Sequence, residues 1–433
     1  MVRQSNKNFP LPLNHLNPRD PDSRPMLARA LTPLPLRLFR YTRLIVNCVS
    51  HWTFRPIPIP ETPTYLPEDV TIILPTIAKG GDQLETTLRT CLRAEPHELI
   101  LVTVDSNVED LKKVAYAINA KKIRVLSIRE ANKRRQLCRA IPEVSTAITI
   151  FVDDDVTWPA KVLQWMLAPF EDPKMGGVGT SQRLKRSKKT SIWSFLGACY
   201  LERRNFDCSA CLQVDGGLPC LSGRTVAYRS SILQDEAFTH DFTHEEWRTC
   251  QLNADDDNFI TRWMYSHDWK IAMQYHKDAE VQTTLEDGPK YLSQCLRWVR
   301  SNWRSNLTSL FVEGHYWYTQ PWSTYSVLQT TLTAWALPYD LLVFFAWYQA
   351  SIGWPQDLRN SLFVFLAAWT FLFSKTVKLW GHFSRYPADI MFLPIYIAFG
   401  YFHGLIKLWG LFTLSEVSQK RSGVHPSHEY TNN

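Results

Sequence analysis

Hydrophobic and polar positions divide this chain into three regimes. From Asp69 onward, short apolar runs alternate with amphipathic stretches. Val70–Thr76, Leu99–Val104, Ile123–Ile128 and Ala147–Val152 read as buried strands, and residues 81–94 and 108–120 read as helices between them. Strands alternating with helices predict an α/β fold with a largely parallel sheet. Ligands of such sheets bind beyond the carboxyl ends of the strands, where Thr76, Asp105 and Asp153 fall. After Glu313 the pattern changes, and Asp340 is the only formal charge before Asp357. Tyr325–Ala350, Leu362–Ser374 and Ile390–Thr413 are apolar stretches rich in aromatic residues, as expected of membrane helices. Before Asp69, Leu31–Trp52 is a mixed apolar segment with Arg37, Arg40 and Arg43 at helical spacing. It reads as an amphipathic interfacial helix or a short span anchored by arginines. Pro56, Pro58, Pro60 and Pro63 then form a stiff linker.

These shifts set the expected boundaries. An arm, helix and linker occupy 1–65, an α/β domain 66–282, interfacial helices 283–320, membrane helices 321–415 and a polar tail 416–433. Within 321–415, the segment 358–380 is the best candidate for an interfacial or re-entrant piece, because Arg359, Lys375 and Lys378 bound a short apolar run. Lys375 and Lys378 have stems long enough to snorkel to the interface.

Composition supports a mixed architecture. Of 433 residues, 45% are apolar, so a sizeable water-soluble part accompanies the membrane segments. The net charge of +7 is concentrated at the start, where residues 1–45 hold eight Lys or Arg, two Asp and seven prolines. That stretch reads as a disordered basic arm. Beside apolar helices it fits an anionic lipid leaflet better than nucleic acid. The nine cysteines are odd in number and scattered, which predicts reduced thiols and a cytosolic catalytic part. Cys208-x-x-Cys211 has no second pair at zinc spacing, so no zinc site is expected. Asn306-Leu307-Thr308 is a glycosylation sequon that a cytosolic domain never uses.

Three clusters carry candidate chemistry. Asp153 and Asp155 stand at i, i+2 after an apolar strand, so both carboxylates point the same way. Two hard oxygens so placed suit Mg²⁺ or Mn²⁺ shared with substrate phosphates, whereas Asp154 faces the other side. Asp255-Asp256-Asp257 is an acidic triplet favoured at a helix N-terminus by the macrodipole. Gln294-x-x-Arg297-Trp298 lies on an amphipathic helix, three and four residues apart and on one face.

Taken in this order, the three clusters resemble the membrane-embedded, inverting glycosyltransferases of family 2, which include hyaluronan, chitin and cellulose synthases. Asp153–Pro159, Leu221–Ile232 and Gln294–Asn306 read as the fungal hyaluronan-synthase-like and capsule polysaccharide synthase-like members, and the likeness covers about residues 35 to 421. It implies a cytosolic GT-A domain that takes a UDP-sugar, with Asp105 and Thr76 beside the uridine. Asp105 also suits a helix N-cap. Asn132-Lys133-Arg134-Arg135-Gln136 resembles the family's Gly-Lys-Arg element, which places Lys133 on the diphosphate. Asp153 and Asp155 correspond to the metal site.

In the family the catalytic carboxylate lies twelve residues before an aromatic at the next strand. Counting back from Trp269 gives Asp257 as general base, with Asp256 as runner-up. Arg297 then pairs with the diphosphate, Trp298 offers its face to an acceptor sugar and Gln294 meets hydroxyls. Cys220-Leu221-Ser222-Gly223-Arg224 resembles the segment that holds the acceptor end. Gly176-Gly177-Val178-Gly179-Thr180 resembles the priming segment, and by itself is an ordinary glycine-containing loop. Two departures stand out. Ile77-Ala78-Lys79-Gly80-Gly81 replaces the usual residues after Pro75-Thr76, and of Ser418-Gln419-Lys420-Arg421 only Arg421 fits the family's closing loop.

The expectation is therefore a multi-pass, plasma-membrane enzyme that extends a β-linked polysaccharide from a UDP-sugar and couples synthesis to secretion. A non-processive lipid (ceramide-type) glycosyltransferase is the rival enzyme, and an inactive membrane scaffold the rival of another class. Polysaccharide or glycolipid as acceptor, and the lipid bilayer, are the implied partners.

Overall fold

The computed structural model describes residues 33–186, 190–253, 255–314 and 316–416. The arm before residue 33 and the segment Ser418–Arg421 lie outside the described residues. The chain opens on helix α1 (Pro33–Thr53) and enters the sheet through β1 (Val70–Pro75), α2 (Asp82–Leu92), β2 (Glu98–Val104), α3 (Val108–Asn119), β3 (Ile123–Ile128), α4 (Lys133–Ala140) and β4 (Ile148–Val152). These match the expected strands and helices to within about two residues, the usual uncertainty of element ends. Next come β5 (Met175–Thr180), β6 (Gln182–Leu184), the long α5 (Ile192–Asp215), β7 (Thr225–Arg229), α6 (Asp256–Ser266), β8 (Lys270–Gln274) and β9 (Val281–Thr283).

Seven strands form one sheet in the order β8-β5-β7-β4-β1-β2-β3. Every pairing is parallel except those of β7, which runs antiparallel to both β4 and β5. Every residue of β1 and β4 is buried, because helices cover both faces. Side chains alternate across the sheet. Ile72 and Leu74 pack with Leu84, Leu88 and Leu111 of α2 and α3 on one face. Ile73, Ile100 and Val102 pack with Leu137 of α4 and Ile260 of α6 on the other. Each such Leu or Ile contributes about 1.5–3 kcal/mol relative to exposure.

The Gly176–Thr180 run is not a loop but the fully buried strand β5. A Cβ on Gly176 would stand 2.8 Å from Cβ of Trp269, and one on Gly177 3.0 Å from a Leu221 methyl. The glycines let Trp269 and Leu221 close over the strand, a reason that lies in distant residues and leaves no periodicity of its own.

The helical part departs further from expectation. α7 (Lys290–Leu307) carries the Gln-x-x-Arg-Trp motif. The stretch Tyr325–Ala350 is broken into α8 (Pro321–Leu332) and α9 (Ala336–Ala350), each shorter than the roughly 20 residues a span needs. Pro338 explains the break: inside a continuous helix its ring would meet the carbonyl four residues back, at Ala334. Among the described residues two helices are long and apolar enough to cross a membrane, α10 (Gln356–Arg385) and α11 (Pro387–Phe412). The segment 358–380, expected to be the interfacial or re-entrant piece, therefore lies inside one of the two full-length helices.

Lys375 and Lys378 do not snorkel. Lys378 meets Asp207 at 2.6 Å and Lys375 meets Asp340 at 3.8 Å. Arg43 and Arg40 of α1 approach the same two carboxylates, at 3.6 and 3.3 Å. Pairing turns these charges inward and lets the apolar run continue past them. α1 itself packs Tyr41, Leu44 and Cys48 against Phe206 and Val377, and leaves Leu38, Ile45, Val49 and Trp52 exposed, an apolar outer face suited to lipid.

Candidate active site

A cavity of about 540 Å³ opens beyond the carboxyl ends of the strands. It gathers Lys133, Asp153, Asp154, Asp155, Asp256, Asp257, Gln294, Arg297 and Trp298, which are far apart in sequence. From there it continues past Cys220 and Arg224 to Ser326, Thr330 and Lys407 among the C-terminal helices. Thr76 and Asp105 are outside its lining. Thr76 lies behind it, buried, with its hydroxyl donating to Asp154 Oδ2 at 2.5 Å. Asp105 directly follows β2 and stands exposed at the start of a short turn, and Asn107 takes the N-cap position of the next helix instead.

Each member of the first triplet points to a different element. Lys133 Nζ donates to Asp153 Oδ1 at 2.8 Å. Asp155 Oδ2 accepts from the hydroxyls of Thr283 and Thr284, at 3.2 and 2.8 Å. Asp154 turns to Thr76. Burial pushes the Asp154 carboxyl up to about 6, with the charges of Asp155 and Asp153 adding to the effect and the Thr76 bond opposing it. Burial and the neighbouring Asp153 likewise raise Asp155, against the pull of Arg224. This end of the cavity carries more negative charge than its own cations offset.

The second triplet is sorted more sharply. Asp255 caps α6 from the left-handed region, at φ 65°, and its side chain turns away to Arg304 Nη2 at 2.6 Å. Asp256 Oδ2 lies 3.0 Å from Lys133 Nζ. Burial opposes the charge of Asp256, but Lys133 outweighs it and holds the carboxyl below the ordinary range. Among the described residues Asp257 has no such ion pair: burial first, and then the charge of Asp256, raise it above the ordinary carboxylate value. Lys133 bridges the triplets, and Asp153 and Asp256 keep its ammonium charged against the cost of burial. A raised carboxylate next to a depressed one is the pattern of a proton acceptor held beside a charge-fixing neighbour.

Gly223 makes this approach possible. A Cβ there would stand 3.2 Å from Asp256 Oδ2 and 3.3 Å from Lys133 Nζ. Trp298 stacks on Tyr200 with ring centroids 4.8 Å apart, and the Arg224 guanidinium lies 5.8 Å from the Trp298 ring. Gln294 Oε1 accepts from the Glu286 amide at 3.2 Å, while Arg297 is exposed at the cavity wall. Sequence reasoning missed Tyr200, Arg304 and the Thr283–Thr284 pair. Tyr200 and the two threonines lie outside any motif, and Arg304, on the motif helix, has partners at Asp255 and Leu414 that lie elsewhere in the sequence.

The donor set of Asp153 and Asp155 fits a hard divalent cation. One oxygen of each is engaged by Lys133 or the threonines, and the other has no hydrogen bond among the described residues. No group of three His, Cys, Asp or Glu side chains forms a closed cage among the described residues. Two carboxylate oxygens completed by water and phosphate are the usual arrangement for Mg²⁺.

Comparison with known proteins agrees with this geometry. Residues 67–301 match the family described as "Glycosyltransferase like family 2". A "Type 2 glycosyltransferase" of Zymoseptoria tritici is 71% identical over 88% of this chain and 81% of its own length. "Hyaluronan synthase 2" of Gallus gallus is 26% identical over 50% of this chain and 40% of its own length. The solved structure of "Mannosyltransferase PcManGT from Pyrobaculum calidifontis in complex with GDP-Man and Mn2+" shares the fold, with a TM-score of 0.53 at 15% identity over 89% of this chain and 99% of that one. A GT-A-like sheet, a cavity at its strand ends and a match through the Gln-x-x-Arg-Trp helix converge on one conclusion: the chain belongs to glycosyltransferase family 2 and is a nucleotide-sugar glycosyltransferase.

Proposed function

We propose that this enzyme transfers a sugar from a UDP-sugar to a growing β-linked polysaccharide, with inversion, from the cytosolic side of a membrane. The observation that carries the reading is one cavity holding a raised carboxylate, Asp257, together with Asp153, Asp155, Arg297 and Trp298, and running on between the apolar helices. Asp153 and Asp155 would hold Mg²⁺ or Mn²⁺. When bound, the ion supplies positive charge to the diphosphate leaving group.

The chain's own groups supply the rest. Lys133 and Arg297 offset charge on the diphosphate. Asp257 accepts the proton of the acceptor hydroxyl as its oxygen bonds to the anomeric carbon and the carbon–oxygen bond to UDP breaks. Attack from the side opposite the leaving group inverts that carbon. Trp298, held flat by Tyr200, offers a stacking face to the acceptor sugar. The polar groups beyond Arg224 give the product hydroxyls partners along the cavity.

The test is to incubate the full chain in detergent with UDP-sugars, singly and in pairs, and Mn²⁺ and to size the product. A ladder or high polymer from one UDP-sugar, or from a pair, is expected. UDP release with a single transferred sugar on lipid would replace this reading with the lipid glycosyltransferase.

A further inference from the structure

We infer that Arg304 is a positioning residue that ties the Asp255–Asp257 loop to the carboxyl end of the last apolar helix, so that the seat of that helix sets the reach of Asp257. The inference rests on the reading of Asp257 as general base. Arg304 sits on α7, two turns beyond Trp298, and is 5% exposed. Its Nη2 and Nε donate to Asp255 Oδ2 at 2.6 and 3.3 Å, and its Nη1 donates to the Leu414 carbonyl at 3.1 Å. One planar guanidinium therefore joins the cap of the catalytic helix to the chain just past α11. A lysine ammonium has no comparable fixed fork.

Both ends of this link are prepared. Asp255 is a non-glycine residue at φ 65°, a conformation that needs external support. Its carbonyl accepts from Arg134 Nη2 at 3.3 Å, so Arg134 holds its main chain and Arg304 its side chain. Asp256 and Asp257 follow directly.

At the other end, Gly410 lets α11 approach α7 closely. A Cβ there would stand 2.5 Å from a Val299 methyl. Arg300 adds bonds to Thr413 Oγ1 at 2.9 Å and to Glu416 at 2.5 Å, and Trp303 Nε1 donates to the Lys407 carbonyl at 3.0 Å. Leu414 lies just past the carboxyl end of α11, where the helix dipole favours an arginine.

The experiment uses the full chain in lipid nanodiscs and the UDP-sugar that yields product in the sizing assay. Arg304→Gln, Arg304→Lys, Asp255→Asn, the Arg304→Gln/Asp255→Asn double variant and Gly410→Val are compared. Arg304→Gln should lower kcat about tenfold or more, with KM for the donor and UDP affinity by calorimetry within about twofold. Arg304→Lys should recover part of the loss. The double variant should be no slower than Arg304→Gln, because the two side chains act as one unit. Gly410→Val, remote from the cavity's acidic end, should lower kcat in the same manner.

Wild-type kcat in Arg304→Gln, independent effects of Arg304→Gln and Asp255→Asn, loss of UDP affinity in parallel with kcat, or an unaffected Gly410→Val would each overturn the proposal. Full turnover in Asp257→Asn would instead sink the base assignment, and the Arg304–Asp255 cycle would still report whether the two side chains are coupled.

Discussion

Asp153–Asp155 and Asp255–Asp257 are chemically identical triplets on the wall of one cavity, and their surroundings set them apart. The first follows a parallel strand and spreads its side chains to Lys133, Thr76 and the Thr283–Thr284 pair. Its excess negative charge is left for something cationic to neutralise. The second opens a helix, and arginine or lysine fixes two of its three members. The third is left raised and able to take a proton. What separates the triplets is the placement of cations around them. Lys133 belongs to both, joining them by ion pairs of 2.8 Å to Asp153 and 3.0 Å to Asp256.

The largest effect expected is that of Asp257→Asn, which removes the proposed proton acceptor. Loss of a general base costs about 10²–10⁴-fold in rate. Transfer measured by UDP release should fall in that range while the protein keeps its thermal stability. Full loss in Asp256→Asn beside a nearly normal Asp257→Asn would move the base by one residue. Arg297→Ala comes next. Loss of the proposed charge-assisted contact to the diphosphate is worth about 1.5–3 kcal/mol, or roughly 10- to 150-fold in kcat/KM. Trp298→Ala should also lower kcat/KM without loss of expression. If both variants lose stability as well as activity, α7 is core rather than substrate wall.

Smaller, and more telling about the second triplet, is the pH profile of Asp256→Asn. In the wild type the charge of Asp256 contributes to raising Asp257. As the proposed base, Asp257 works above its pKa and loses that ability as pH falls through it. Removing the Asp256 charge should therefore move the acid limb of kcat/KM to lower pH, and a limb that stays in place would disconnect the two residues. The smallest effect is that of Gly223→Ala. Its Cβ would crowd Lys133 and Asp256 by a few tenths of an ångström. Misplacement on that scale should cost about severalfold in kcat.

The sheet was legible in the sequence because each buried strand is a short apolar run whose partner is set by βαβ order. β1 to β4 needed no more than that. β5 was not legible, since its glycines are explained by Trp269 and Leu221, which lie elsewhere in the chain. The break at Pro338 was missed because hydropathy runs unbroken from Tyr325 to Ala350. The inward pairing of Lys375 and Lys378 was missed because Asp207 and Asp340 lie far off in sequence. The candidate site divides in the same way. Its carboxylates and the Gln-x-x-Arg-Trp residues announce themselves by spacing, and Lys133 by its resemblance to the family's Gly-Lys-Arg element. Tyr200, Arg304 and Thr283 become visible only once the chain is folded.

The central claim is the division of labour between the triplets, and UDP binding tests it most directly. Calorimetry of UDP with and without Mn²⁺ should be run on the wild type, Asp153→Asn, Asp155→Asn and Asp257→Asn. The account predicts that Mn²⁺ strengthens UDP binding in the wild type and in Asp257→Asn alike, and that this gain is lost in Asp153→Asn and Asp155→Asn. A Mn²⁺-dependent gain that survives in both first-triplet variants and disappears in Asp257→Asn would contradict it.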